Sequence, residues 1–172
     1  HPISILKYFD KKFTFDSYDA FNYDIELRPL FFLDAYKATM KNISANNKYD
    51  LLFLGTAHSD RYKISNKISQ WCTRNNLKMF CFYYMQGRLV YFYKKLFDKS
   101  FKNFDYKKLS FKSLSIIETY NLYKNSKIIL DINHPEQKGL TMRTIESIGF
   151  RKKLITTNSE IKKYSFYNPN NI

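Results

Sequence analysis

The residues of this chain best suited to chemistry lie in one stretch, Asn133-His-Pro-Glu-Gln-Lys-Gly139 followed by Leu140-Thr-Met-Arg-Thr-Ile-Glu146. Gly139 lets backbone amides come close to a ligand. Thr141 is placed to cap the helix that follows while offering a hydroxyl. The unpaired N–H groups of a first helical turn, together with the helix dipole, favour an anion there. Lys138 and Arg143 bring positive charge to the same end. Glu146 is the one acid inside an otherwise apolar helix, and a sugar hydroxyl is a partner that would account for it. The plainer alternatives are a surface carboxylate for Glu146, a solvated helix residue for Arg143, and a loop that binds nothing.

The elements that must position these residues follow a βα rhythm. Asp50-Leu-Leu-Phe-Leu54, ended by Gly55, reads as a buried parallel strand. Ser59 or Asp60 can cap a helix whose Ile64, Ile68, Trp71 and Cys72 fall at i, i+4, i+7 and i+8, closed by Asn75-Asn76. A second strand spans Lys78 to Tyr84, a third Leu109 to Ser113, and a helix Ser115 to Tyr123. Lys127 to Ile132, Thr141 to Ile148 and Lys153 to Thr157 then give strand, helix, strand, with Gly149 in the left-handed position after the helix. This alternation specifies an α/β fold, a Rossmann-like parallel sheet with helices on both faces. Parallel strands point their carboxyl ends one way, so the loops at 55–61 and 133–139 face one crevice.

A helix from about Arg88 to Asp98 puts Leu89, Phe92, Tyr93, Leu96 and Phe97 on one side and Lys94, Lys95 and Lys99 on the other. Packing of the aromatic side on the sheet is the favoured reading; rest on an anionic membrane surface is the other. Residues 1–48 are aromatic-rich and irregular, with Tyr23 to Leu27 alternating as a short strand that Pro29 ends and a polar stretch from Lys41 to Lys48. They read as the end of a preceding domain and an interdomain linker, with residues 49–172 the Rossmann-like domain. A start at His1 and a stop at Asn170-Asn-Ile172 suggest a piece of a longer protein.

Composition narrows the class. With 44% hydrophobic and 19% aromatic residues the chain is no disordered polymer. No apolar run approaches the roughly 18–20 residues of a membrane span, and no signal peptide is visible. Cys72 and Cys81 read as two buried apolar thiols in a reducing cytosol, and His1, His58 and His134 form no zinc pattern. The net charge of +14 belongs entirely to the part after residue 50, which holds 22 bases and 8 acids. That half should meet anions, although an abundance of Lys, Asn, Ile, Tyr and Phe together also fits compositional drift in an AT-rich coding sequence.

Leu130-Asp-Ile-Asn-His-Pro-Glu-Gln-Lys-Gly-Leu-Thr-Met-Arg-Thr-Ile-Glu146, with Gly149 and Lys152-Lys-Leu-Ile-Thr-Thr-Asn158, resembles the donor domain of GT-B glycosyltransferases, in particular a bacterial capsular or lipopolysaccharide biosynthesis group. Gly55-Thr-Ala-His-Ser-Asp-Arg61, Phe15-Asp16 and Arg28-Pro-Leu30 resemble other signatures of that group. The resemblance implies that Glu146 bonds the ribose of a nucleotide sugar, as the second Glu of a Glu-x7-Glu pattern does. Lys138 stands where the first Glu would be, and a lysine there suits a phosphate. Gly55 opens the first loop, in which His58 would stabilise the leaving phosphate or orient substrate and Arg61 would pair with the diphosphate. For His58 the competing reading is an exposed loop histidine. Ser113 and Leu114 are further candidates for contacts to the base.

The reading that follows is the donor-binding domain of a glycosyltransferase in surface-polysaccharide or lipopolysaccharide assembly. It takes a nucleotide sugar as substrate, with a saccharide or lipid-linked acceptor. The absence of Asp-x-Asp leads to an expectation of no metal and no other cofactor. Acceptor site and general base would lie mostly on an N-terminal domain, which this chain is expected to lack. The location expected is cytoplasmic, peripheral on the inner face of the plasma membrane if the aromatic helix docks there. The alternative is a basic nucleic-acid-binding module. A dinucleotide-dependent oxidoreductase is disfavoured because only Gly55 stands where G-x-G-x-x-G would be.

Overall fold

A computed structural model describes residues 3–36, 47–58, 60–135 and 137–172. In chain order the elements are α1 (Ile3–Leu6), β1 (Phe13–Thr14), α2 (Ser17–Tyr23), β2 (Glu26–Leu27), β3 (Tyr49–Thr56), α3 (Arg61–Arg74), β4 (Met79–Tyr84), α4 (Arg88–Phe97), β5 (Leu109–Ser110), α5 (Ile116–Lys124), β6 (Ser126–Asp131), α6 (Met142–Gly149) and β7 (Lys153–Thr156). The last five strands form one parallel sheet in the order β5-β4-β3-β6-β7, while β1 and β2 pair in a separate two-stranded sheet. The expected Rossmann-like α/β architecture is therefore present. Sequence order reverses between β3 and β6, and such a reversal opens a crevice beyond the strand ends.

The apolar runs of the strands are explained by burial on both faces. Along β3, Leu51 and Phe53 point to one core with α3, Tyr91 of α4, Phe101 and Phe104. Leu52 and Leu54 point to the other, with Tyr123 of α5, Ile145 of α6 and Phe150. The helix α5 starts at a capping box, in which Ser115 accepts from the Glu118 amide and Glu118 accepts from the Ser115 amide.

Several boundaries differ from the sequence reading. Tyr23 ends α2 instead of opening a strand, so β2 is confined to Glu26–Leu27. The strand at Leu109 stops at Ser110, where the Ser110 hydroxyl donates to the Lys112 carbonyl at 2.7 Å and turns the chain. Trp71 is exposed, leaving Ile64, Ile68 and Cys72 as the inner stripe of α3. Asp60 is the residue before α3 but makes no side-chain capping bond, and Ser59 lies outside the described residues. No glycine lies in the left-handed region of positive φ. The left-handed residue after α6 is Arg151 (φ 52), with the Arg151 amide on the Ile148 carbonyl and the Lys152 amide on the Ser147 carbonyl. That is a Schellman closure two residues beyond Gly149. Gly149 is required for space: a Cβ there would lie 2.8 Å from the Phe32 ring.

The largest difference concerns α4. Its apolar stripe, expected to pack on the sheet, faces solvent, and only Tyr91 of this helix is fully buried. The space beneath is filled by the buried Phe101 and Phe104, whose rings stack on each other, with Phe104 also packing against Tyr62 and Tyr83.

The five-stranded sheet lies wholly within residues 49–172, and the segment before it packs onto this unit. Tyr36 is buried against Tyr123 and Phe150. Most of the polar stretch Lys41 to Lys48 falls outside the described residues.

Candidate functional site at the strand-order reversal

Parallel β3 and β6 end side by side, so the loops after them meet. Arg61, in the first turn of α3, ties them together: its Nε donates to the Ile132 carbonyl at 2.8 Å and its Nη1 to Thr56 Oγ1 at 2.8 Å. The same Nη1 lies 2.9 Å from His58 Nε2. A guanidinium only donates, so this imidazole nitrogen accepts and the proton of a neutral ring sits on Nδ1. The two loop residues singled out in the sequence are thus one constellation. His134 joins them, its ring 5.4 Å from that of His58, although the two histidines are far apart in sequence.

The electrostatics of this cluster are distinct. Burial, then Arg61, His134 and Lys94, push His58 down to about 4, so it is neutral at neutral pH. Burial also lowers Arg61, against the attraction of Asp131. Among the described residues Arg61 forms no ion pair. A partly desolvated cation beyond the strand ends, with no described carboxylate at contact distance, is a place for an anion.

Asp131, the last residue of β6, was not singled out in the sequence. Its buried Oδ2 accepts from the hydroxyls of Thr141 and Thr144, both at 2.7 Å, which fastens the start of α6 to the sheet. Burial raises its pKa. Thr141 is the N-cap, as expected, accepting from the Thr144 amide. Its hydroxyl is committed to Asp131, and this carboxylate already answers part of the positive field at the helix start.

The remaining candidates fall elsewhere. Gly55 lies within β3 opposite Tyr83, and a Cβ there would come 2.8 Å from Phe53 Cζ. The Gly139 amide donates to Asp16 Oδ2 at 2.6 Å, and Lys138 is exposed with Nζ 3.5 Å above the Tyr18 ring. Glu146 is buried, not a surface carboxylate: its Oε2 accepts from Tyr123 Oη at 3.0 Å and from Arg143 Nη1 at 2.6 Å. Both bonds fall on Oε2, so a ribose hydroxyl would have to be met by Oε1. Arg143 is held in that pair and its pKa is raised by Tyr123 and Glu146 against the effect of burial. Ser113 is exposed and Leu114 packs against the core beside α5.

Two clefts flank the loop after β6. One of about 480 Å³ is lined by Asp16, Tyr18, His134, Gln137 and Lys138. The other, about 550 Å³, is lined by Asn133, Lys138, Thr157, Asn158 and Lys163 among others. Asn133 and Asn158 hold the loop in shape, Asn133 through the His134 and Gln137 carbonyls and Asn158 through those of Lys138 and Gly139. The position of Asn158 gave no signal because its partners depend on how the β6 and β7 loops meet.

Among the described residues no group of three His, Cys, Asp or Glu side chains could hold a metal ion. Cys72 and Cys81 are free thiols, and burial pushes Cys81 up to about 11. No described helix is long and apolar enough to cross a membrane. No family model, curated protein or solved structure matches the chain.

Proposed function

We propose that this chain is the donor-binding domain of a glycosyltransferase, holding a nucleotide sugar at the β3–β6 crevice with its phosphate on Arg61. The observation that carries this reading is the Arg61 guanidinium, fixed across the two middle strands and facing no carboxylate at ion-pair distance among the described residues. A phosphate supplies the counter-charge and suits the planar fork of an arginine. The resemblance of Gly55–Arg61 and Leu130–Asn158 to the GT-B donor domain supports the same reading, and it alone suggests an acceptor in surface-polysaccharide or lipopolysaccharide assembly.

In the transfer, the bond from the anomeric carbon to the phosphate oxygen breaks and the nucleotide leaves with the electron pair. An acceptor hydroxyl takes its place on that carbon and passes its proton to a general base, which the resemblance puts outside this domain. Arg61 meets the negative charge that grows on the leaving phosphate, and preorganised donors of this kind are worth most in a crevice with little water. Neutral His58 contributes as a dipole, because at neutral pH it carries no charge of its own.

Calorimetric titration with UDP- and CMP-sugars tests the proposal. Binding that weakens about tenfold or more in Arg61→Gln supports it, as loss of a charge-assisted contact of about 1.5–3 kcal/mol would produce. No binding of any common nucleotide at millimolar concentration overturns it. Salt-sensitive binding of mixed oligonucleotides without nucleotide-sugar affinity would favour the nucleic-acid-binding module instead.

A further inference from the structure

The helix α4 carries its apolar side chains away from the protein. Leu89, Phe92, Tyr93, Leu96 and Phe97 are 85%, 57%, 66%, 79% and 72% exposed, and they recur at i, i+3, i+4, i+7 and i+8. That spacing makes one continuous stripe along the helix. A single exposed apolar residue needs no explanation, whereas a contiguous set of this size marks a contact surface.

The chemistry of the contact is set by charge. Between residues 86 and 112 the chain has eight bases, Arg88, Lys94, Lys95, Lys99, Lys102, Lys107, Lys108 and Lys112, against two acids, Asp98 and Asp105. Asp105 is occupied in capping the turn after it, accepting from the Lys107 amide. Lys95 is folded onto the end of the helix, donating to the carbonyls of Phe101 and Lys102 at 3.3 and 2.7 Å. Lys99 and Lys102 are exposed just past the stripe.

We propose that α4 is an interfacial helix that seats the protein on an anionic lipid bilayer, its apolar stripe in the acyl boundary and its flanking lysines on the headgroups. A short helix with a strongly apolar side, followed directly by the exposed Lys99 and Lys102, matches what such a surface requires. A protein partner fits less well, because protein–protein interfaces are depleted of lysine. A nucleic acid fits less well again: Phe92, Tyr93 and Phe97 offer rings for stacking, but the equally exposed Leu89 and Leu96 between them have no use on a base or a phosphate. The inference does not depend on what the crevice binds.

Co-sedimentation with vesicles of phosphatidylcholine alone and of phosphatidylcholine with phosphatidylglycerol tests it. The protein should sediment with the anionic vesicles. Binding should fall about tenfold or more on neutral vesicles, in the double variant Leu96→Asp/Phe97→Asp, in Lys99→Glu/Lys102→Glu, and in about 0.5 M salt, where the Debye length is only a few ångström. These side chains are at the surface, so circular dichroism should show all variants folded. In a Trp71→Phe background, Leu89→Trp should shift its emission to the blue on anionic vesicles, which binding by charge alone would not produce. Failure to bind anionic vesicles overturns the proposal, as does binding indifferent to Leu96→Asp/Phe97→Asp. An oligomer that this double variant dissolves, without vesicle binding, would overturn it in favour of an interface between copies of the chain.

Discussion

Asp16 and Gly139, 123 positions apart, are joined by a 2.6 Å hydrogen bond from the Gly139 amide to Asp16 Oδ2. The other oxygen of the same carboxylate accepts from the Tyr18 amide at 2.9 Å and caps α2. One carboxylate thus starts a helix in the N-terminal segment and fastens that segment to the loop after β6. A Cβ on Gly139 would lie 3.0 Å from the Phe15 ring and 3.2 Å from Asp16 Cα, so the approach demands glycine.

Asp16→Ala should therefore lower stability by about 2–3 kcal/mol, the sum of a lost N-cap and a lost bond to a charged acceptor. Urea unfolding measures it. A change below about 0.5 kcal/mol, ordinary for an exposed site, would show that the two segments are not energetically joined.

Gly149→Ala sets two effects against each other. Replacing a helical glycine by alanine gains about 1 kcal/mol, while a Cβ 2.8 Å from the Phe32 ring carries an overpacking cost of about 1–3 kcal/mol. Overpacking should win in the parent, giving net destabilisation. In a Phe32→Ala background the same change should stabilise, and a double-mutant cycle by thermal unfolding reads the reversal of sign.

His58 gives stability a pH dependence. Its pKa falls from 6.5 in the unfolded chain to about 4 in the folded one. Between these values the unfolded chain takes up a proton that the folded chain refuses, so the stability present above pH 6.5 is lost progressively as pH falls toward 4. His58→Gln should flatten that part of the profile relative to the parent. Proton NMR of the imidazole should show its titration near 4, and a nucleotide phosphate bound beside it should move the midpoint upward, because an anion favours the charged ring.

Glu146→Ala leaves the fully buried Tyr123 hydroxyl and the Arg143 guanidinium without their shared acceptor. A loss of about 2–3 kcal/mol is expected from the orphaned groups, and Glu146→Gln should recover part of it by offering one neutral acceptor. Chemical denaturation separates this from a role in binding. A Glu146→Gln protein with unchanged stability and weakened nucleotide-sugar affinity would instead place Glu146 on a ligand.

The βα order was legible because the buried strands are apolar runs bounded by polar turns and the helices between them carry apolar residues at helical spacing. Asp50–Leu54 and the Ile64, Ile68, Cys72 stripe are examples, and the structure has β3 and α3 there. His58 and Arg61 were legible as a pair because only three positions separate them across a strand-to-helix turn. His134, Asp131 and Asp16 were not, since nothing local to them indicates which distant residue they will meet.

Local patterning, then, determined by itself that this chain makes a parallel α/β sheet, because strand burial and helix capping are decided within a few residues. Only tertiary structure decided which way the ambiguous side chains face. The α4 stripe turned outward because Phe101 and Phe104 had already filled the core beneath it. Glu146 turned inward because Tyr123 and Arg143 from two helices converge on it. Gly139 met a carboxylate of its own chain because the N-terminal segment packs on the loop after β6. In each case competition between distant groups for one volume or one hydrogen bond sets the outcome, and sequence spacing carries no record of it.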